Sequence, residues 1–344
     1  MFAQTADSTK QQKKVRITPL PALFYTPETR LGYGALVSAI FNTGDTSNTR
    51  NSNMEVLGAY TQEKQIIART SHTIFLPSES YIFNGNISYY DFPIFYYGIG
   101  NDTKDEHEEK LRYQVVEVRE RVVKNLGNHV FVGGQYQYVN LYDLTYEPEI
   151  LIEDKPMLES QAGVNSGMGL AFIYDSRDVV INAYQGAFLN ISTFHYQPVF
   201  GSKFTYNSLR VDARKYWKLT EKGVLAGQFL GEFNSSNVPF RQMALLGGDM
   251  IMRGFYNGRY RDNQQMAIQA EWRQGVLPWL GFTVFGATGD VSDRFSNFAP
   301  ADFKWAAGAG LRLTVNKKDR ANVRIDYGIG KGTSGFYFAF TEAF

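Results

Sequence analysis

The stretch QQMAIQAEWR, Gln264 to Arg273, alternates without a break. Gln265, Ala267, Gln269, Glu271 and Arg273 share one side of an extended chain, and Met266, Ile268, Ala270 and Trp272 share the other. Successive side chains of a strand point to opposite faces, so this period of two marks a β-strand with one wet and one apolar face. The pattern recurs outward in both directions. FKWAAGAGLRLTV, Phe303 to Val315, sets Trp305, Leu311, Leu313 and Val315 against Lys304, Arg312 and Thr314. ANVRIDYGI, Ala321 to Ile329, separates Val323, Ile325 and Tyr327 from Arg324 and Asp326, and YIFNGNISYY, Tyr81 to Tyr90, sets Tyr81, Phe83, Ile87 and Tyr89 against Asn84, Asn86 and Ser88.

A soluble β-sandwich also alternates. Two details favour a membrane barrel instead. Charges sit well inside the strands (Arg210, Asp212, Arg214, Glu232, Glu271, Arg273), and aromatic residues gather toward strand ends, as in Tyr206, Tyr216 and Trp217. A charged lumen, an apolar exterior and aromatic girdles account for both. No run approaches the roughly 18 consecutive apolar residues of a spanning helix, but a barrel strand needs only about 9–11 residues with alternate ones apolar. Sixteen such segments are countable: 15–25, 30–41, 53–62, 65–76, 80–90, 111–124, 128–141, 166–175, 185–196, 205–217, 222–233, 264–274, 279–288, 303–315, 321–329 and 334–344. An even number is what a bacterial single-chain barrel requires. With the N-terminus in the periplasm, the short turns fall inside and the long connections 91–110, 142–165, 234–263 and 289–302 fall outside, the usual arrangement. The expected fold is therefore all-β, a 16-stranded antiparallel transmembrane β-barrel over residues 15–344, in the outer membrane of a Gram-negative bacterium. Residues 1–14 are expected to be a signal-peptide remnant, with Ala3 at the cut, and a polar lead-in.

Composition removes several kinds of chemistry. The chain of 344 residues has no cysteine, so disulfides, thiolate metal sites and thiol nucleophiles are absent. A net charge of +1 argues against nucleic acid, whose phosphates call for a basic excess. His72, His107, His129 and His195 are scattered without metal-ligand spacing. DEHEE, Asp105 to Glu109, reads as a solvated acidic loop rather than a cation site, and GIGKGT, Gly328 to Thr333, lacks phosphate-loop spacing and reads as a hairpin turn. No G-x-S-x-G elbow is present. The expectation is no enzyme, no cofactor and no metal.

Just before the opening stretch lies GGDMIMRGFYNGRYRD, Gly247 to Asp262, a long connection with Met250, Ile251, Met252 and Phe255 around Arg253. Its MRGF, Met252 to Phe255, falls between the eleventh and twelfth segments. YDSRD, Tyr174 to Asp178, precedes YQG at Tyr184 to Gly186; YYGIGNDT runs from Tyr96 to Thr103; and SGFYFAFTEAF ends on Phe344 with Phe336, Phe338 and Phe340 alternating before it. In this order the set resembles the BamA/TamA family of outer-membrane barrels, over essentially the whole chain. That resemblance implies a sixth outer loop tipped by [V/I/M]-R-G-[F/Y], an Asp-x-Arg-Asp periplasmic turn (here Asp175, Arg177 and Asp178, with Gly186 downstream) and a terminal strand closing on Phe. It also implies that loop six folds back into the lumen, with Arg253 pinning the tip, Gly254 allowing close backbone approach and Phe255 packing on the wall. An exposed loop whose Arg meets water is the alternative. Two departures stand out. The fourteen residues before the first segment leave no room for the POTRA domains usual in assembly members. The family's Phe-x-Asp-x-Gly, whose Asp meets the loop-six Arg, is FGATG here, with Ala287 in the Asp position. A buried Arg still needs an anion, and the inward Glu271 is the first substitute, Glu232 the second.

Pro19 and Pro21 sit in the first segment, which must pair with the last to close the barrel. Proline cannot donate to a ladder, so either this seam is weak, with Phe344 on its other side, or the prolines end the lead-in and the ladder starts at Ala22. The resemblance implies a lateral gate and a role in inserting or translocating outer-membrane proteins or lipids, with membrane lipids and separate periplasmic or outer-membrane proteins as partners. A passive small-solute channel and a structural or surface-binding barrel are the alternatives.

Overall fold

The computed structural model describes residues 15–45, 48–146, 161–235, 238–317 and 320–344; the expected leader, 1–14, lies outside them. Among the described residues the chain forms β1 (Arg16–Thr26), β2 (Arg30–Phe41), β3 (Ser52–Thr61), β4 (Ile66–Phe75), β5 (Tyr81–Tyr96), β6 (Glu109–Gly127), β7 (Val130–Tyr146), β8 (Gly163–Asp175), β9 (Gly186–Tyr196), β10 (Tyr206–Lys218), β11 (Gly223–Asn234), the short β12 (Ala244–Leu246) and β13 (Tyr260–Asp262), then β14 (Gln264–Gly275), β15 (Leu280–Ser292), β16 (Lys304–Asn316), β17 (Ala321–Gly330) and β18 (Thr333–Phe340). Each barrel strand pairs antiparallel with its neighbour and β1 meets β18, closing a barrel of sixteen strands; β12 and β13 form a separate two-stranded ribbon.

Alternation decides which side each residue takes. On β14, Ile268 and Trp272 are exposed while Gln265, Gln269, Glu271 and Arg273 are buried. On β17, Tyr327 faces out and Arg324 and Asp326 face in. Tyr206 and Tyr216 share the parity of the inward Asp212, so they point into the barrel and not into a girdle; among the three aromatics named, only Trp217 is exposed.

Several strands run past their expected ends, β5 to Tyr96, β7 to Tyr146 and β15 to Ser292, and the last one stops short. β18 stops at Phe340, Thr341 adopts a φ of 66°, and Glu342, Ala343 and Phe344 are buried inside. Phe344 therefore does not stand at the seam: its carbonyl accepts a 2.9 Å hydrogen bond from Arg273 on β14, and its ring packs with Tyr216 and Ala226. The seam is correspondingly short. β1 pairs with β2 without interruption from Arg16–Ile40 to Thr26–Arg30, but meets β18 at a single register pair, Tyr25 with Phe338. Four residues back from Tyr25 is Pro21, and four forward from Phe338 is Glu342, already out of the sheet. The prolines thus lie within a ladder that begins before Ala22, paired with Val37 and Ala35 of β2, and among the described residues no strand pairs with the other edge of this part of β1.

Candidate functional site

The connection between β11 and β14 turns on glycines. Gly247, Gly248, Gly254 and Gly258 all have positive φ, as does Met252. The Gly248 N–H donates to the Phe255 carbonyl at 3.0 Å and Gly258 N–H to Leu246 at 3.2 Å, which closes the connection into a compact ribbon. Its apolar residues pack against inward small and aliphatic side chains: Leu246, Ile251, Met252 and Phe255 form one cluster with Leu230 of β11, Ala267 of β14, Val291 of β15 and Ala306 of β16. Burying each of the larger side chains is worth about 1.5–3 kcal/mol. That explains why a polar-looking connection carries them.

The apex rests on backbone. A Cβ on Gly328 of β17 would lie 2.4 Å from the Arg253 carbonyl oxygen, and one on Gly254 would lie 2.8 Å from the Ile329 carbonyl carbon. Gly330 in the same strand lies under the Phe255 ring. GIGKGT is thus a hairpin whose first glycines form a bed for the tip. The Gly254 N–H donates to the Tyr337 hydroxyl at 2.9 Å, and the Thr333 hydroxyl donates to the Gly254 carbonyl at 2.9 Å, so β18 holds the same residue.

Arg253 lies at the centre of a charge cluster, 1 % exposed. Its Nη1 donates to Asp326 Oδ2 at 2.6 Å, its Nη2 donates to Glu271 Oε2, and its guanidinium stacks 3.6 Å over the Phe285 ring. Three further arginines complete the cluster. Arg273 donates to Glu271 Oε1 at 2.9 Å; Arg312 donates to Asp326 at 2.5 Å and to Glu342 at 2.6 Å; Arg324 donates to Asp249, on the loop itself, at 2.8 Å. Four cations meet four carboxylates, which is what makes ionised groups tolerable away from water. Glu271 is thus in contact with Arg253. Glu232 is not: it pairs with Arg210 across β10 and β11 at 3.3 Å. The second anion is Asp326, three strands beyond Glu271, and Ala287 packs against the apolar part of the ribbon. Asp326, Gly328, Thr333 and Tyr337 were not foreseen as parts of this site. Inward parity singled out Asp326, but nothing in the spacing tells which inward carboxylate a folded-back loop will reach.

Residues 31–344 match the family model of the Omp85 superfamily domain. The chain belongs to the Omp85 superfamily. No curated protein matches it. Among solved structures, this Omp85 barrel is similar to BamA from Haemophilus ducreyi lacking POTRA domains 1-3, at 14% identity and a TM-score of 0.64, over 95% of this chain and 70% of that one. It is also similar to CdiB from Acinetobacter baumannii (14% identity, TM-score 0.60, 96% of this chain and 65% of that one) and to CdiB from Escherichia coli (13%, 0.62, 95% and 67%). At such identity the likeness is one of fold.

At its long-loop end the Omp85 barrel has a cap over the ribbon. The Gly100 N–H donates to the Arg261 carbonyl at 2.8 Å, Asn101 donates to Asp290 at 3.0 Å, and Arg259 donates to Asp105 at 2.9 Å and to the Thr103 hydroxyl at 2.7 Å. The GIGN and DEHEE segments therefore bind the loop. At the short-turn end, Arg177 chelates Asp175 through Nε (2.8 Å) and Nη2 (2.9 Å) and stacks on Phe188, fixing the start of the 176–185 turn. Gly186, φ 104°, lets this turn return, since a Cβ there would lie 2.2 Å from the Ser176 carbonyl oxygen. The turn then straps across the mouth. Asp178 accepts from the Tyr184 N–H (2.9 Å) and from Arg320 in the β16–β17 turn (2.7 Å), and Ala183 packs with Phe344.

Burial alone would raise the Asp178 pKa, but hydrogen bonds from Arg320, Tyr184 and Gln185 outweigh it and hold this carboxyl below the usual range. A depressed folded-state pKa stabilises above the unfolded value of about 4 and loses that contribution as pH falls through the folded value. Protection of residues 176–185 from hydrogen exchange, relative to the intrinsic rate at each pH, should therefore hold from pH 7 to about 5 and be lost below about 4. Asp178→Asn should show the lower protection already at pH 7; wild-type protection in that variant would mean Asp178 does not hold the strap.

Proposed function

We propose that this Omp85 protein sits in the outer membrane of a Gram-negative bacterium and inserts or translocates outer-membrane proteins or lipids by opening between β1 and β18. The observation that carries the reading is the closure of the barrel through the single pair Tyr25 and Phe338. Every other junction has a ladder of many pairs, so this is where sixteen strands separate at least cost. Arg253, Gly254, Phe255, Glu271 and Asp326 act as the lumen lock, and Pro19 and Pro21 keep the free edge of β1 from acquiring ladder bonds. Loop six also spans the seam, because Gly254 is held by Tyr337 and Thr333 of β18 while the Asn257 N–H donates to Glu28, in the β1–β2 turn, at 2.7 Å. Membrane lipids contact the parted edges, and separate periplasmic or outer-membrane proteins deliver the substrate.

Tyr25→Cys with Phe338→Cys tests this in a chain that has no other thiol. Register partners lie about 4.5–5.5 Å apart at Cα, within disulfide reach. In proteoliposomes, oxidation is expected to stop substrate-barrel insertion and lipid movement between leaflets, and reduction to restore them. Equal activity in both redox states would end the lateral-opening reading. A second reading, a passive solute channel, has one observation in its favour: a polar space of about 340 Å³ on the β5–β11 side of the lumen, lined by Arg119, Arg121, Gln137 and Asp212. Activity that persists in the oxidised form together with steady solute flux would favour it.

A further inference from the structure

The arginines of the loop-six cluster, Arg253, Arg273, Arg312 and Arg324, are each met by a carboxylate. Two others are not. Arg261, on β13, is 3 % exposed; its Nη2 reaches only the Gly258 carbonyl at 3.4 Å, and its Nε has no partner. The buried Nε of Arg241, in the turn before β12, also has none. Among the described residues neither forms an ion pair. Aromatic rings cover them instead, Tyr96 at 5.1 Å and Phe240 at 6.0 Å from Arg261, and Tyr113 at 5.8 Å from Arg241. A ring face attracts a guanidinium but does not neutralise it, and an uncompensated buried charge is strongly unfavourable.

Both arginines line one cavity of about 250 Å³, with Phe92, Ile94 and Leu245 as apolar wall and Glu28 at its edge. Glu28 is a weak counter-charge, because its Oε1 already accepts the Asn257 N–H and burial pushes its pKa up. Glu117, the carboxylate that acts on Arg241 from nearby, is held by Arg119 and by Gln137 at 3.2 Å. A second space of about 270 Å³ adjoins it and shares Arg241, Leu245 and Asn257 as lining.

We propose that this cavity binds the phosphate or carboxylate head of an acidic amphiphile, its oxygens on the unpartnered Nε–H groups of Arg241 and Arg261 and its first carbons against Phe92, Ile94 and Leu245. The site shares Glu28 and Asn257 with the contact by which loop six spans the seam, but its test reads ligand binding and does not depend on lateral opening. The full chain in nonionic detergent is titrated calorimetrically with inorganic phosphate and with dihexanoyl phosphatidic acid. Saturable one-to-one binding of the phosphatidate, weakened at least tenfold by Arg261→Met, is the expected result. Equal affinity for phosphate alone would identify a soluble oxyanion as the source, and phosphatidate binding far tighter than phosphate would identify a lipid headgroup. Binding of neither, or undiminished binding by Arg261→Met, overturns the proposal. Arg241→Gln, at the lumenal edge, gives a second reading should Arg261→Met not fold: unchanged affinity in it overturns the proposal equally. Without ligand, Arg261→Met is expected to keep or raise the urea midpoint, since it removes an unpaired cation; a purely structural arginine would lower it.

Discussion

Arg253→Ala is expected to convert a nearly closed barrel into an open one, read in planar bilayers as a change from small, flickering conductance to large, steady conductance. The guanidinium bridges Glu271 on β14 and Asp326 on β17 and stacks on Phe285 of β15, so one side chain ties the loop to three strands. Breaking a buried ion pair from one side costs about 3–5 kcal/mol. Here the lower figure should apply to the fold, because Glu271 keeps Arg273 and Asp326 keeps Arg312, so neither carboxylate is left bare. The loop keeps its ties at Asp249, Asn257 and Arg259, but its tip has no second ion pair. Apart from Arg253, its tip is held by the Gly254 contacts with Tyr337 and Thr333 and by apolar packing. A urea midpoint falling by an amount equivalent to about 3 kcal/mol, together with the open conductance, is the expected pair of results. Arg253→Lys should be intermediate, since one ammonium replaces a planar fork and cannot span both carboxylates with the same geometry. Wild-type conductance in Arg253→Ala would mean that the apolar cluster alone seats the loop.

How much of this could be read in the sequence varies with the kind of interaction. The strands and their facing were legible, though several ends lie four to six residues away, as where β5 runs on to Tyr96 and β7 to Tyr146; alternation is local and the barrel gives each face a uniform environment, so β14 and β17 each put their charges inward as their period predicts. Glu271 was legible for the same reason, being an inward carboxylate on the strand that follows the loop. Asp326 was not, although it too is inward. Which of several inward acids meets Arg253 depends on how far the ribbon reaches across the lumen, and reach is set by barrel curvature and by the glycine bed on β17. Parity also misled where it was ignored, since Tyr206 and Tyr216 share the inward face of Asp212 and could not belong to a lipid-facing girdle. The C-terminal residues fail differently. Phe344 continues the aromatic alternation of β18, but Thr341 turns the chain and Arg312 and Asn322 claim Glu342, so a local pattern is overridden by charges from other strands.

Gly328→Ala separates seating from charge, and it should open the barrel with every ionic partner still present. An added Cβ would stand 2.4 Å from the Arg253 carbonyl oxygen, 2.5 Å from its carbonyl carbon and 2.8 Å from the Gly254 nitrogen. All three are backbone atoms, so no rotamer change relieves the overlap; either β17 bows outward or the tip lifts. β17 is held on both sides by ladders to β16 and β18. The tip is held at Gly254 by two hydrogen bonds, and Gly254, at a φ of 120°, is a glycine free to move to other backbone conformations. The tip should therefore yield. Overpacking of this kind costs about 1–3 kcal/mol, less than the fold loses with Arg253, yet lifting the tip also lengthens both hydrogen bonds from Arg253 and stretches the contact with Tyr337. Conductance comparable to that of Arg253→Ala, with a smaller fall in the urea midpoint, is the expected outcome. Gly58→Ala on β3, where an added Cβ meets nothing within 4 Å, is the matched control and should behave as wild type. If Gly328→Ala stayed closed, the loop would be held by its charges and apolar cluster without needing the glycine bed, and the close approach of Gly254 to β17 would carry no part of the closure.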